Sequence, residues 1–366
     1  MARLIIHTEA IKQNIKDISA YLKQRNIEWS LITKVFSGDL DFLEKLLTDD
    51  VVKDLHSIGD SRLTSIKNIK EVRPELRTIY IKPPAIAFVK DVVKYADISL
   101  NSSYATIKAL NEEAGKQQKI HKIIIMIELG ELREGIQREA IMDFYEKVLN
   151  LENIEVIGIG SNLGCMYGVE PSYDKLLQLA LYKELIAAKF SKDLPFISGG
   201  TSIALPLLEQ GMVPPEINHF RIGEAAFFGV SPLKNEKFLN LNTNTFEFQA
   251  NIIELAEKDI VPDGIIGEGN IGHTAIFSVK DINQTSIKAI LDFGHIDVDR
   301  ENILTDDDSI NFVGITSDMT VIDIGDNLDK KGNKKFKVGQ RINFKPTYLG
   351  VARLLNSKFI DKIFDN

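Results

Sequence analysis

Hydrophobic positions in the first two thirds of the chain alternate between two periods. Helical stripes such as Ile11, Ile15, Ile18 and Leu22 are separated by short runs of β-forming residues. About eight such runs can be distinguished, each followed by a connection long enough for a helix. They lie at residues 29–35, 55–58, 78–81, 98–100, 123–129, 156–160, 196–198 and 220–222.

Parallel strands require crossover connections of this length, so the alternation predicts an α/β fold with a parallel sheet. A doubly wound open sheet would show a similar alternation. The number of units and their total length favour a closed (β/α)8 TIM barrel.

The pattern changes after residue 229, and residues 239–245 form a polar connector without a helical stripe. Beyond it, turn residues separate β-rich runs at residues 246–255, 274–278, 287–293, 312–315, 320–324 and 340–344. We therefore predict a barrel domain over residues 10–235 and a C-terminal, mostly β domain over residues 240–366. Residues 1–9 form a segment that can join the second domain.

Composition and charge narrow the functional classes. Hydrophobic residues make up 44% and charged residues 26% of the 366 residues, as in a globular protein. The formal net charge of −8 argues against general binding to nucleic acid or to anionic membranes. Cys165 is the single cysteine, which excludes an intrachain disulfide and a cysteine-rich metal site. The aliphatic runs are too short for a secretory leader or a membrane span, so we expect a cytoplasmic protein.

In such a barrel, functional residues gather at the carboxyl ends of the strands. Lys34 lies at the end of the first predicted strand and Asn162 at the end of the sixth. Burial favours the neutral amine of a lysine, which is a nucleophile that can form a Schiff base. The alternative is a lysine whose ammonium reaches solvent at the strand end.

A phosphate is often held after the seventh and eighth strands of a barrel. The seventh predicted strand ends in five residues whose N–H groups and hydroxyls can bind a phosphate, Ser198, Gly199, Gly200, Thr201 and Ser202. Glycine pairs also make ordinary strand-to-helix turns. A lysine and a phosphate site in one barrel mouth indicate pyridoxal phosphate, whose aldehyde and phosphate need these two groups.

Several short stretches follow one another along the chain in a specific order and spacing. They are residues 32–35 (Ile-Thr-Lys-Val), 128–135 (Glu-Leu-Gly-Glu-Leu-Arg-Glu-Gly), 198–202 (Ser-Gly-Gly-Thr-Ser), 221–229 (Arg-Ile-Gly-Glu-Ala-Ala-Phe-Phe-Gly) and 313–323 (Val-Gly-Ile-Thr-Ser-Asp-Met-Thr-Val-Ile-Asp). Together they resemble the alanine racemase family of fold-type III pyridoxal-phosphate enzymes. Within that family the sequence is most similar to the ornithine racemase-like branch, and the likeness covers nearly the whole chain.

The resemblance implies an amino-acid racemase that works as a head-to-tail homodimer with residues of both chains in each site. Lys34 would hold pyridoxal phosphate covalently and act as one of two catalytic bases, and Arg221 would face the pyridine nitrogen. Arg133 would lie near the cofactor's phenolic oxygen and the substrate carboxylate. Asn162 would lie beneath the ring, and the phosphate would be held by Ser198, Gly223, Glu224 and Tyr348.

Stereoinversion requires proton transfer on both faces of the substrate, so a second base must stand opposite Lys34. In alanine racemases this base is a tyrosine of the β domain. The matching stretch here, residues 293–299, has His295 in its place, and histidine can exchange a proton near neutral pH. The alternative is a hydrogen-bonded turn histidine. A second departure is Gly38, which replaces a tyrosine that usually contacts the phosphate.

The substrate is expected to be ornithine or another basic amino acid, whose side-chain ammonium Asp297, Asp318 or Glu131 could bind. The resemblance also implies that Ser317 and Asp318 enter the partner's site. Other functions of the same fold type stay open: a decarboxylase, a D-threonine aldolase-like lyase, or a non-catalytic pyridoxal-phosphate carrier. A metal is not expected, because neither His273 nor His295 has a convincing partner motif.

Overall fold

The computed structural model describes residues 1–265 and 281–365, and the chain divides into two compact units. The barrel unit comprises Thr8–Thr245, and the β unit comprises Met1–His7 together with Phe246–Asn366. Among the described residues, no helix combines the length and hydropathy that a membrane span requires.

The strands of the described ranges are β1 Arg3–His7, β2 Glu28–Ile32, β3 Ser57–Asp60, β4 Thr78–Tyr80, β5 Ile98–Asn101, β6 His121–Met126, β7 Ile154–Gly160, β8 Phe196–Thr201, β9 His219–Ile222, β10 Val230–Ser231, β11 Glu236–Lys237, β12 Phe246–Asp259, β13 Thr285–Leu291, β14 Ile303–Leu304, β15 Asn311–Ile315, β16 Thr320–Asp323, β17 Arg341–Pro346 and β18 Asp361–Asp365. The α-helices of these ranges are α1 Thr8–Lys23, α2 Leu40–Leu47, α3 Leu63–Val72, α4 Val89–Tyr95, α5 Tyr104–Lys116, α6 Ile141–Leu149, α7 Tyr173–Phe190, α8 Leu205–Glu209, α9 Glu224–Phe228 and α10 Tyr348–Asn356.

The barrel unit is built from β2 to β9, which are parallel and close into a barrel through hydrogen bonds between β2 and β9. The helical stripe predicted in α1 is buried, since Ile11, Ile15, Ile18 and Leu22 have no exposed surface. Burial of such a stripe supplies most of the stability of a helix in a protein. The predicted (β/α)8 barrel followed by a mostly β domain is confirmed.

The barrel interior contains both apolar and polar side chains. Six buried residues of β4 to β7 form one apolar cluster, consisting of Ile79, Ile98, Leu100, Ile124, Met126 and Ile157. Strands β2, β3, β8 and β9 and the residue before β3 contribute buried polar side chains instead, namely Ser30, Ser57, Ser198, His219 and His56. Buried polar groups are mostly hydrogen-bonded, and these five side chains form hydrogen bonds with one another.

The first barrel strand ends earlier than the sequence pattern predicts. β2 stops at Ile32, and Lys34–Phe36 form a short 3-10 turn in which the N–H of Phe36 donates to the carbonyl oxygen of Thr33 at 2.9 Å. Lys34 therefore follows the strand instead of ending it. The apolar run continues into the turn because Val35 and Phe36 are buried there as well, and periodicity alone could not distinguish the two.

The β unit is an antiparallel sheet in which β14, β17, β12, β13, β16 and β15 follow one another in this order. β1 pairs with β12 in antiparallel orientation and with β18 in parallel orientation. Five of the predicted β runs correspond to β12, β13, β15, β16 and β17. The run predicted at residues 274–278 lies outside the described residues. The pattern did not predict β1, β14, β18 or helix α10.

Candidate active site

Lys34 lies at the carboxyl ends of β2 and β9, which are neighbours in the barrel. Its side chain is exposed, and Glu224 at the start of α9 is half-buried. Burial raises the pKa of the Glu224 carboxyl, and the charge of the Lys34 ammonium counteracts this. Gly223 leaves no room for a side chain, because a Cβ there would lie 2.8 Å from the carbonyl oxygen of Ile32. The fold thus brings Lys34, Gly223 and Glu224 to one edge of the barrel.

Arg221 is a buried cation in β9, with 6% of its surface exposed. Nη1 donates to the carbonyl oxygen of Ser198 at 2.8 Å and to its Oγ at 2.5 Å, and Nη2 donates to the carbonyl oxygen of Ser161 at 2.7 Å. Burial lowers the pKa of the guanidinium to about 10, while the carboxylate of Glu134 acts to raise it. Arg221 therefore stays charged at neutral pH in a fixed orientation.

Residues 198–200 have a different role from the predicted phosphate cradle. All three lie within β8 and are buried. The hydroxyl of Ser198 bonds to Arg221 and lies 2.7 Å from Nδ1 of His219. Gly200 is needed for packing, because a Cβ there would lie 2.3 Å from the ring of Phe220. The motif therefore anchors Arg221 and fills the barrel wall, and Gly199 is likewise enclosed by apolar side chains.

The last two residues of the same motif lie at the end of β8. Thr201 closes the strand and is half-buried, and Ser202 follows in a 3-10 turn. Oγ of Ser202 accepts the N–H of Gly223 at 3.3 Å and that of Ala225 at 3.2 Å, so it joins the ends of β8 and β9. This is the region where barrel enzymes frequently hold phosphate. Ser202 belongs to the stretch that was predicted to bind phosphate, but the resemblance to the family singled out Ser198 as the phosphate contact.

The loop after β6 carries Arg133. Glu128 shapes this loop, because its Oε1 accepts the N–H of Gly130 at 2.5 Å and its Oε2 accepts the N–H of Arg133 at 3.1 Å. The Arg133 guanidinium pairs with both carboxylate oxygens of Glu134. Nδ2 of Asn162 donates to Oε1 of Glu134 at 3.2 Å. The structure therefore links the two predicted residues, Arg133 and Asn162, through Glu134, which sequence reasoning missed.

Glu131 is not available for a substrate ammonium. Its side chain is buried, with 2% of the residue exposed. The carboxylate accepts five backbone N–H groups of the loop after β7, at 2.7 to 3.2 Å, from Gly164, Cys165, Tyr167, Gly168 and Val169. Burial acts to raise the pKa of this carboxyl, but the N–H groups outweigh it and hold the pKa below its ordinary value. Both oxygens are thus committed to the backbone.

His295 follows β13 in the β unit and lies against the loop between β15 and β16. The N–H of the next residue donates to the carbonyl oxygen of Ser317 at 3.0 Å. The imidazole is 32% exposed, and its Nδ1 lies 3.9 Å from Oδ1 of Asp299. Ser317 and Asp318 are exposed, and the hydroxyl of Ser317 donates to Oδ1 of Asp318 at 3.1 Å. The structure therefore brings His295, Ser317 and Asp318 together.

Asp297 has the contacts of a turn-forming residue, in contrast to its predicted role in substrate binding. It is 6% exposed, its Oδ2 accepts the N–H of Gly294 at 3.1 Å, and its Oδ1 accepts the hydroxyl of Ser357 at 2.6 Å. Tyr348 is the half-buried first residue of α10, which Thr347 caps by accepting the N–H of Gly350 at 3.2 Å. Tyr348 belongs to the β unit, as do His295 and Asp318.

The groups at the carboxyl end of the barrel fit pyridoxal phosphate. An amine for the aldehyde is supplied by Lys34 and a buried cation for the ring nitrogen by Arg221. The hydroxyl of Ser202 and the backbone of Gly223, where no side chain fits, can hold an anion. Within residues 1–265 and 281–365, no three or more His, Cys, Asp or Glu side chains are grouped so that they could hold a metal ion. His273 lies outside the described residues.

Comparisons with known proteins agree with this arrangement. The model of the alanine racemase N-terminal domain matches residues 6–232. The ornithine racemase of Acetoanaerobium sticklandii is 35% identical over 319 residues, 86% of this chain and 88% of that protein. The lysine racemase of Thermotoga maritima is 30% identical over 363 residues, 99% of this chain and 98% of that protein. The crystal structure of alanine racemase from Bartonella henselae with covalently bound pyridoxal phosphate superimposes with a TM-score of 0.73 at 18% identity, covering 100% of this chain and 99% of that chain.

Proposed function

The chain belongs to the alanine racemase family and is an amino-acid racemase, and we propose that it uses pyridoxal phosphate to interconvert the enantiomers of a basic amino acid, ornithine or lysine. The observation that carries the proposal is the barrel end itself. An exposed lysine amine, an anchored guanidinium and a hydroxyl at the strand end are combined there in Lys34, Arg221 and Ser202.

Each of these residues has a distinct task. The bound cofactor supplies an electron sink that makes the Cα–H of an attached amino acid acidic. Lys34 holds the cofactor and moves the Cα proton on one face of the substrate, and His295 does so on the other. Arg221 faces the ring nitrogen and leaves it unprotonated, because a guanidinium does not give up its proton. Ser202, with the backbone of Gly223, holds the phosphate.

The proposed site requires a second copy of the chain. Lys34 and Arg221 belong to the barrel unit, whereas His295, Asp318 and Tyr348 belong to the β unit. We infer a head-to-tail homodimer in which the β unit of one protomer completes the barrel mouth of its partner. Size-exclusion chromatography with light scattering tests this, since a monomer with full activity would contradict it.

Two charged residues are proposed to bind the substrate. Arg133 would bind the α-carboxylate, because it is exposed and two of its five N–H donors pair with Glu134. Asp318 would bind the side-chain ammonium, because it is exposed, whereas Glu131 and Asp297 are buried and accept hydrogen bonds within their own units. The relatives that act on ornithine and on lysine support a substrate of this charge.

Deuterium incorporation at Cα is the most direct test of the reaction. The purified holoenzyme is incubated in D2O with each enantiomer of ornithine, lysine, arginine, alanine and serine. We expect deuterium in the inverted product of a basic amino acid, and neither incorporation nor absorbance of the bound cofactor in Lys34→Ala. Release of carbon dioxide or acetaldehyde would instead favour the decarboxylase or the aldolase. Failure to incorporate deuterium into any amino acid would contradict racemisation.

Two further variants test the assigned roles. In His295→Phe, one enantiomer should still exchange its Cα proton with solvent while inversion is lost, because only one face retains a base. If both enantiomers still inverted, His295 would not be the second base. Ser202→Ala should weaken cofactor affinity by about tenfold, the value of one good hydrogen bond to an anion. Equal affinity in Ser202→Ala and the wild type would place the phosphate elsewhere.

A further inference from the structure

A chain of buried polar side chains leads away from Arg221 into the barrel. Oγ of Ser198 accepts from Arg221 at 2.5 Å and lies 2.7 Å from Nδ1 of His219. Nε2 of His219 lies 2.9 Å from Oγ of Ser30. Oγ of Ser30 lies 2.7 Å from Oγ of Ser57. All of these residues are buried, and His219 and Ser198 have no exposed surface.

In one direction of hydrogen bonding, every hydroxyl of this chain both accepts and donates. An arginine only donates, so Oγ of Ser198 accepts from Arg221, and we assign the proton of Ser198 to its other partner, Nδ1 of His219. The imidazole then carries its proton on Nε2 and donates to Ser30. Ser30 donates in turn to Ser57.

The far end of the chain can adopt the same direction. Oγ of Ser57 lies 3.2 Å from Nδ1 of His56, and a Ser57 hydroxyl that accepts from Ser30 donates to this nitrogen. The proton of His56 is therefore on Nε2. That atom is buried and has no hydrogen-bond partner in the described part of the chain, so the chain ends there.

We propose that His219 is a positioning residue which, through Ser198, fixes the guanidinium of Arg221 in the orientation that faces the ring nitrogen of the cofactor. The proposal rests on the proposed function. The oxygen of Ser198 points toward the cation, and the N–H and O–H dipoles of the following residues point away from it. Aligned dipoles of this kind polarise one another and stabilise the charge at their negative end.

The chain operates only with a neutral imidazole. A protonated His219 would have donors on both nitrogens and could no longer accept from Ser198. Burial lowers the pKa of His219 well below its ordinary value, and the neighbouring His56 and Arg221 lower it further. The burial of the ring in the barrel core thus maintains the state that anchors Arg221.

A second histidine in the same barrel provides a matched control. His121 in β6 is 3% exposed, and its Nε2 lies 2.8 Å from Oγ of Ser99. This pair resembles His219 and Ser198 in burial and bonding, but its recorded hydrogen bonds do not lead to Arg221. His219→Phe removes two buried hydrogen bonds and His121→Phe removes the one to Ser99, and of the two variants only the first removes the support of Arg221.

The test is the 15N chemical shift of the ring nitrogen in holoenzymes reconstituted with 15N-labelled pyridoxal phosphate. We expect His219→Phe and Ser198→Ala to move this resonance in the same direction and to lower kcat by about ten- to a hundredfold, with a smaller change in KM. The double variant should match the single variants, because the chain acts as one unit. His121→Phe should keep the wild-type shift and kcat. Thermal unfolding compares the stability cost of the two histidine variants.

Two outcomes separate this inference from the proposed function. A wild-type protein that binds the labelled cofactor and racemises, with His219→Phe indistinguishable from His121→Phe, overturns only the role of His219. A wild-type protein that does not bind the labelled cofactor overturns both. If His219→Phe does not fold, Ser198→Ala carries the comparison, with Ser99→Ala as its control.

Discussion

Replacing Glu131 by glutamine tests whether one buried carboxylate holds the loop after β7. Oε2 of Glu131 accepts the N–H groups of Gly164 and Val169 at 3.0 and 3.1 Å, and Oε1 accepts three further N–H groups. A glutamine keeps one accepting oxygen and places an NH2 donor against the remaining N–H groups. At least two hydrogen bonds to a charged acceptor are lost. Each stabilises the loop by roughly 1.5 kcal/mol, the lower end of the range for hydrogen bonds to charged groups.

The resulting loss of about 3 kcal/mol corresponds to roughly a hundredfold larger population of the opened loop. Amide hydrogen exchange of residues 164–169 measures this directly. We expect roughly a hundredfold faster exchange there in Glu131→Gln, with little change in the barrel strands. Glu139→Gln makes the same charge change at an exposed position and serves as the control. Exchange of the loop within about threefold of wild type would refute the reasoning.

The same loop should respond to acid in a defined direction. The folded pKa of Glu131 lies below the ordinary value, so its stabilisation of the loop is complete above the ordinary pKa. It is lost as pH falls through the lowered folded pKa. Protection of the loop amides should therefore decline on acidification in the wild type and stay flat in Glu131→Gln. Parallel pH profiles of the two proteins would contradict this assignment.

Three further predictions concern stability. Gly200→Ala should lower the free energy of unfolding by about 1–3 kcal/mol, because the added Cβ meets the Phe220 ring. Gly115→Ala in α5 should be tolerated, because the added Cβ there meets the end of the Asn153 side chain. Urea unfolding compares the two variants. Burial raises the pKa of Asp60 to about 6, so the contribution of Asp60 to stability declines as pH rises from about 4 to 7, and the stability of the wild type should fall relative to that of Asp60→Asn over this range. Asp297→Ala should cost about 2 kcal/mol through two lost hydrogen bonds, and an unchanged melting temperature would count against them.

The barrel was predictable because its signal is carried by many residues at once. Stripes such as Ile11, Ile15, Ile18 and Leu22 recur between β-forming runs, and a single misjudged residue does not disturb the period. Short strands at the chain ends carry no such repetition. β1 and β18 each have five residues, and they become strands by pairing with each other and, for β1, with β12. Tertiary pairing of this kind leaves little trace in local sequence.

The candidate site shows where motif reasoning reaches its limit. The sequence predicted that the Ser-Gly-Gly-Thr-Ser stretch binds phosphate, but which hydroxyl can face an anion depends on the residue at which β8 ends. Ser198 is inside the strand and bonds to Arg221, and Ser202 is at its end. Glu134 was not predicted because its partners, Arg133 and Asn162, come together only through the folding of two loops. Strand boundaries and loop contacts depend on residues that are distant in the sequence, so a local pattern predicts them least reliably.

The pairing of β1 with β18 has a consequence for synthesis of the chain. Arg3–His7 run beside Asp361–Asp365, so β1 cannot gain this neighbour until β18 has been synthesised. All eight barrel strands are complete by Ile222, long before that moment. During translation, the barrel strands should therefore be complete while β1 still lacks its β18 partner. Premature termination ahead of Asp361 would leave that strand with one free edge, a ready substrate for quality-control proteases.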